Sequence, residues 1–575
     1  MQNDGSSEDK AFSRAKFLKY GASGVAGVGA LVATRQAQAA DLLMRLNREM
    51  LASPSRKQTL VMGKDMSVDL GMDPARAFEQ LDFLVLGNAY NRLVKFPYKA
   101  DGTLDFTRLL GDLATSWRVS PDARTYTFKL NPHARFASGR PVTSQDVAWS
   151  IARLKFVNAT PGFLAADVDE IAHPDARTVI IQLTQPDLGF LKRLTSPNFA
   201  VIDSKLVSQN GGNASPKAAQ LDTAENYLST QTHGSGPYKM TSYERGQKLV
   251  MVINENYWAG HPGVIRQFIT QHIPDPNVQV AALERGDLDM TWNLNGYLSL
   301  ISQLQKQHYV IDQRPDLEWY DILFTADPTQ SDIVARETVQ LALKYAIDYN
   351  GLKHLAPGGN PRMGIAPTFV GGLPESKLLQ QDLTKAKQLL KTAGYPNGFS
   401  VTISGFKIGG ISPSHEQIGI KLAQDWSRIG VNANLNFQEF DAIIGQIRAG
   451  ATQIALTAWI ADYPDPIDYA QYSTPLTSFA KRARWSSTAN TVDVNRFPSY
   501  PKIVDLAQRM LTATTQSKRL SLFHQLEPLC LTGGAIYPTL VLELVNAAAK
   551  DVTGFKYDLL YDWYLPNLGR KGLKA

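Results

Sequence analysis

Asp462, Asp465 and Asp468 are spaced by three in this 575-residue sequence. Carboxylates this close in sequence could serve as an acid/base pair or as calcium ligands. Pro464 and Pro466 interrupt any shared helical face, and the spacing fits no EF-hand loop. A carboxylate in a ligand-facing loop is the expectation instead. His415-Glu416 lacks a second histidine four residues on, which argues against a zinc protease. No phosphate-binding G-x-x-x-x-G-K-[ST] loop and no G-x-S-x-G elbow occurs. The single cysteine, Cys530, stands between Leu529 and Leu531. It rules out an internal disulfide and a cysteine metal cage, and it reads as a small buried hydrophobe. No catalytic residue, metal or cofactor is expected.

Chemistry without a catalytic constellation has to come from shape, so the elements matter. At roughly 100–200 residues per domain, the length suggests about three folding units or one multi-lobed body. Lys and Arg number 59 against 53 Asp and Glu, a net charge of +6 with no basic block. Nucleic-acid binding is therefore not expected. Residues 1–39 read as an export signal. Lys16 and Lys19 precede an uncharged run from Tyr20 to Thr34, and Ala37-Gln38-Ala39 follows as a small-x-small exit. Ser13-Arg-Ala-Lys-Phe-Leu-Lys19 resembles a twin-arginine motif with Ala15 in the second arginine's place, which leaves the export route open. Cleavage near Ala39–Ala40 and a periplasmic location are expected. The apolar run is too short for a membrane span, and no other stretch reaches 18 apolar residues.

The body alternates strands and helices. Tyr126, Phe128 and Leu130 share one strand face, as do Val179, Ile181 and Leu183, and Leu249, Met251 and Ile253. Thr143-Ser-Gln-Asp146 is a capping-box pattern ahead of Val147, Ile151 and Leu154. From Phe399 to Asp462 the pattern is strand, helix, strand, helix, strand. Gly430 and Gly450 stop the two helices, and Ile454–Trp459 is the last strand. That order predicts a mainly parallel sheet, with Asp462 just beyond a strand's carboxyl end, where ligands of open α/β sheets sit.

Several segments, in order, resemble the family-5 extracellular solute-binding proteins, the peptide- and nickel-type receptors of ABC importers. They are Leu113–Trp117, Ser120–Phe128, Phe136–Val147, Gly234–Tyr238, Asn254–Trp258, Gly286–Asp289, Ala346–Asp348, Ala386–Leu390 with Ala393–Tyr395, and Trp459–Pro466. The resemblance spans about residues 58–570. It implies an α/β fold, a two-lobed periplasmic-binding-protein clamshell (type II, cluster C-like) with a small extra domain. Lobe I would be 58–88, 200–296 and 540–575, the extra domain 89–199, and lobe II 297–539. The implied partners are a peptide or peptide-like amine and an ABC permease of the cytoplasmic membrane, with the protein itself a monomer and not an enzyme. A nickel chelate, opine or sugar is the alternative ligand, and an exported hydrolase using Asp462 and Asp465 the alternative of another class.

The resemblance also places ligand-binding residues. Asp462 holds the W-x-x-D position that pairs with a peptide α-ammonium; it could instead cap the following turn. The main chain of Ala458, Trp459 and Ile460 would pair with an extended guest, and the Trp459 ring would wall a pocket or pack in the core. Lys407 is the only cation in the loop before Asp425-Trp426, as a carboxylate partner or a solvated loop lysine. Tyr238 would pack the main lobe or reach the cleft. Trp117, Phe128, Phe136 and Val147 read as core of the extra domain.

Overall fold

The computed structural model describes residues 56–67, 71–356, 359–407, 413–476, 478–486 and 492–573. The export signal lies outside the described residues. The first strand is Thr59–Lys64 (β1). Next come Ala114–Val119 (β2), Thr125–Leu130 (β3), the helix Ser144–Val157 (α1), Val168–Asp175 (β4) and Thr178–Leu183 (β5). Tyr238–Glu244 (β6), Lys248–Ile253 (β7) and Gln267–His272 (β8) follow, then the helix Leu298–Lys306 (α2) and the long strand Val310–Phe324 (β9). The next stretch is Phe399–Lys407 (β10), His415–Ser427 (α3), Val431–Glu439 (β11), Phe440–Arg448 (α4), Ile454–Ile460 (β12) and Pro466–Ser473 (α5). Gln516–Gly533 (α6) and Ile536–Ala548 (β13) close the set.

Among the described residues the three sheets of four or more strands run in the orders β1-β8-β7-β6, β2-β3-β5-β4 and β11-β10-β12-β9-β13, with two small two-stranded sheets besides. The small antiparallel sheet shows the alternation its sequence predicts. Tyr126, Phe128, Leu130, Val179, Ile181 and Leu183 all face one core, with Phe136 and Val147 beside them and Trp117 half-buried against it. Thr143 and Asp146 close a capping box on α1. Arg153, inside α1, is sealed between Asp73 at 2.5 Å and Asp222 at 2.7 Å. That double pair satisfies a cation that would otherwise be buried alone, at a cost of several kcal/mol.

The third sheet departs from the mainly parallel expectation. β10 runs parallel to both β11 and β12, as the strand-helix order requires. β9 then pairs antiparallel with β12 on one side and β13 on the other. These two strands enter from distant parts of the sequence and make the sheet mixed.

β9 and β13 also join the bodies. Val310–Pro315 pairs with Glu543–Ala548, and Trp319–Leu323 with Ile536–Val541, with register shifts between the two halves. The first half reaches the β1 sheet, where Met290 bridges both Met62 and Ala548. Val545 and Ala547 pack there with Val61, Ile269 and the α2 residues Ile301 and Leu304. The second half belongs to the β12 sheet. Two lobes linked by a bulged two-stranded ribbon form the clamshell expected from the sequence.

Candidate binding site

β12 is paired along its whole length on only one side. Glu318–Phe324 of β9 matches Ile454–Ile460 residue for residue. On the other side β10 pairs only at Ile403–Ile454 and Ser404–Ala455. Beyond that point β10 stays with β11 out to Lys407–Glu439, and the twist of the sheet carries it away from β12. The Ala461 N–H donates to the Leu317 carbonyl at 3.2 Å. By alternation, Trp459 and Ala461 direct their main-chain groups at β9, and Leu456, Ala458 and Ile460 direct theirs at the open side. Among the described residues no strand covers that edge.

Aromatic rings build one wall beside it. Trp459 stacks on Tyr472 at 4.4 Å and meets Trp319 edge-on at 4.7 Å and Phe479 at 5.6 Å. Trp319 stacks in turn on Tyr469. Trp459 is half-buried, while Trp319, Tyr469 and Tyr472 are buried. Beneath the rings lies Asp321, which accepts from Tyr472 Oη at 2.7 Å and Trp319 Nε1 at 2.8 Å. Burial pushes its carboxyl up to about 7 against those two donors.

The turn after β12 sets the acids. Asp462 is half-buried. Its main-chain N–H donates to Asp468 Oδ2 at 2.8 Å, which ties the turn to α5. Burial and then the neighbouring Asp462 charge raise the Asp468 carboxyl well above its usual range. Asp465 caps α5 through the Ile467 N–H at 3.0 Å. It also takes a two-pronged bond from Arg519, at 2.8 and 2.9 Å, and lies 3.3 Å from Lys192. Burial alone would raise Asp465, but Arg519 and Lys192 keep it below the ordinary carboxylate value. A carboxylate locked in that way is not a partner for Asp462 in acid/base work.

Lys192 belongs to the region of the small antiparallel sheet, so its pair with Asp465 crosses from one body to the other. A cavity of about 130 Å³ lies alongside, between Asp167, Asp187 and Arg193 on one wall and Tyr463, Ile467 and Gln471 on the other. Arg193 is held by Asp167 at 2.7 Å and Asp187 at 3.0 Å.

Not every residue singled out in the sequence gathers here. Ala458, Trp459, Ile460 and Asp462 lie together along β12 and its exit. Lys407 is exposed at the end of β10, 4.0 Å from Glu416, and residues 408–412 after it lie outside the described residues. Tyr238 is buried in the lobe I core, where its hydroxyl donates to the Ile265 carbonyl at 2.5 Å. The ring is therefore spent on packing rather than aimed at the cleft. Cys530 is buried, and burial pushes its thiol up to about 12. His415 sits between Phe406 and Tyr320, and burial pushes it down to about 4. Among the described residues no group of three potential ligands could hold a metal ion. No local sequence signal marks Lys192, Arg519 or Asp321, which come from segments far apart along the chain.

Residues 108–479 match the middle region of the bacterial extracellular solute-binding proteins, family 5. The chain belongs to that family. It is 28% identical over 517 residues to the periplasmic murein peptide-binding protein MppA of Escherichia coli (strain K12), covering 84% of this chain and 88% of that one. It is 26% identical over 512 residues to the probable D,D-dipeptide-binding periplasmic protein DdpA of the same organism, covering 87% and 92%. The fold matches that of HbpA2 from Haemophilus parasuis, with a TM-score of 0.72 at 22% identity over 89% of this family-5 chain and all of the other. None of the helices among the described residues is long and apolar enough to cross a membrane.

Proposed function

We propose that this family-5 protein is the periplasmic substrate-binding component of an ABC importer. It captures a peptide or peptide-like amine between its lobes and delivers it unaltered to a membrane permease, acting as a monomer. The lobes correspond to the β1 sheet with the small antiparallel sheet, and to the β12 sheet, and they close about β9 and β13.

One observation carries this: an unpaired strand edge at Ala458 and Ile460 runs directly into the half-buried carboxylate of Asp462. An extended peptide laid on that edge gains main-chain hydrogen bonds without demanding particular side chains. Its α-ammonium then needs a fixed counter-charge once the lobes shut water out, and Asp462 is placed to supply it. Trp459 gives the guest an apolar wall. The relatives named for peptide and dipeptide binding support the same ligand class. Lys407, exposed and beside Glu416, is a weaker candidate for the guest's carboxylate.

The test is calorimetric binding of a short peptide and of its N-acetylated form. The free amine should bind and the acetylated form should lose most of its affinity. Equal affinities would reject the contact between the ammonium and Asp462.

A further inference from the structure

The ribbon that links the lobes changes partners at one residue. On the outer side of β13 the Val541 N–H donates to the Pro361 carbonyl at 2.8 Å, a contact of lobe II. Further on, the Val545 carbonyl accepts the Leu294 N–H at 2.7 Å, a contact of lobe I. Glu543 lies between the two. On its inner side it pairs with Pro315 of β9, where the register shift toward Trp319 begins. Proline has no N–H to give, so the ladder is thinnest there, where a hinge bends most easily.

A cavity of about 190 Å³ opens at this pivot and shares no lining residue with β12 or the turn after it. Asn295 and the α2 residue Ile301 line it from lobe I, Asn360 from lobe II, and Gln313, Glu543 and Val545 from the ribbon. Asn295 and Asn360 are buried, and each spends an amide N–H on β13. Asn295 donates to the Glu543 carbonyl, and Asn360 to the Val541 carbonyl at 2.9 Å. Among the described residues neither amide oxygen has a donor. One oxygen of the Glu543 carboxylate accepts from Gln313 Nε2, and the other has no donor among the described residues. Lys353, the cation that acts on Glu543, is itself bonded to Glu375 at 3.1 Å. Burial holds the Glu543 carboxyl above its usual range, as for a charge short of a close partner.

Three acceptors left without donors, one of them charged, therefore border one space. A primary ammonium brings three N–H donors and a single charge. Ile301 and Val545 offer a short alkyl stem an apolar surface to cover. A lone carboxylate does not make a metal site, and among the described residues no group of three potential ligands could hold a metal ion.

We propose that the pivot cavity binds a small primary alkylammonium, held by Glu543, Asn295 and Asn360, and that its occupation favours the lobe arrangement described above. The walls belong to both lobes, so a ligand that fits the gap at this angle stabilises this angle. In it the two bodies touch through Lys192 and Asp465, 3.3 Å apart. An amine at the pivot and a guest held between the lobes should then strengthen each other. The site itself goes beyond the proposed peptide function, and only the coupling rests on that reading.

Saturation-transfer NMR on the purified protein tests the site with n-butylammonium chloride, and with n-butanol as the uncharged probe of equal length. Butylammonium should bind with a Kd of about 1 mM, and butanol at least about tenfold more weakly. Glu543→Gln should weaken butylammonium about tenfold. Saturating Ala-Ala-Ala, its own binding followed by calorimetry, should tighten butylammonium about fivefold. Displacement of the amine by the tripeptide would put it in the cleft and overturn the pivot site. Equal binding of amine and butanol, no binding of the amine, or undiminished binding in Glu543→Gln overturns the site as well. An unchanged Kd with the tripeptide bound overturns the coupling alone. A tripeptide that does not bind counts against the peptide function, and Glu543→Gln still decides the pivot site. Where that variant folds poorly, the butanol comparison and the displacement measurement on the unsubstituted protein decide it.

Discussion

Asp462 follows the open edge of β12, its main-chain N–H is held by Asp468, and the proposed function assigns its carboxylate to the guest's α-ammonium. In a closed cleft, removing one member of a buried ion pair costs about 3–5 kcal/mol. Asp462→Ala should therefore weaken binding of a free-amine peptide by roughly two to four decades in Kd, measured by calorimetry, while the thermal unfolding midpoint of the empty protein moves little. Glu527 gives a separate expectation at the same scale. It is fully buried, accepts the Ile365 N–H and the Leu373 N–H at 3.0 Å each, and burial pushes it from 4.5 up to about 7. A carboxyl raised in the folded state binds its proton more tightly there than in the unfolded chain. Its contribution to stability is complete below about 4.5 and is lost as pH rises through about 7. Denaturant titrations should show stability falling over that window, and Glu527→Gln should flatten the fall by on the order of 1–3 kcal/mol. An unaltered pH profile in the variant would refute the assignment.

At the scale of the element, β12 divides its hydrogen bonds between two sides. Odd-numbered positions serve β9 and even-numbered ones face the open edge. Ala458→Pro removes a donor from the open side only, and proline is tolerated in strands where its missing N–H faces outward. Guest affinity should fall by at least the worth of one hydrogen bond, about 1 kcal/mol, with little change in unfolding midpoint. A large stability loss with retained affinity would place the guest elsewhere. Much of this element was legible beforehand. The hydrophobic alternation of Ile454–Trp459 and the glycine stops at Gly430 and Gly450 gave the strand-helix order, and Gly430 does adopt a left-handed φ of 84°. The antiparallel neighbours β9 and β13 were not legible, because strand pairing between segments 130 or more residues apart leaves no periodic trace in either.

For the whole molecule, Lys192–Asp465 is the ion pair that ties the small-sheet body to the α5 cap, one turn from Asp462. Lys192 remains 18% exposed, so the pair is worth little by itself. Lys192→Ala should speed guest release a few-fold in stopped-flow measurements, through roughly 0.5–1 kcal/mol of lost interaction, and leave the association rate nearly unchanged. Slower release would mean that the pair opposes closure.

The sequence by itself determined the strand-helix order from Phe399 to Asp462, the alternating strand faces around Phe128, Ile181 and Met251, that Asp462 follows a strand's carboxyl end, and the ordered motifs shared with family-5 binding proteins. Each of these depends on residues close together in the chain, where periodicity and turn chemistry act. Only the tertiary structure decided that Asp465 is consumed by Arg519, that Tyr238 is core, and that β12 keeps one edge open. Those facts depend on which distant segments meet, and long-range pairing is set by the packing of the whole chain rather than by any local run of residues.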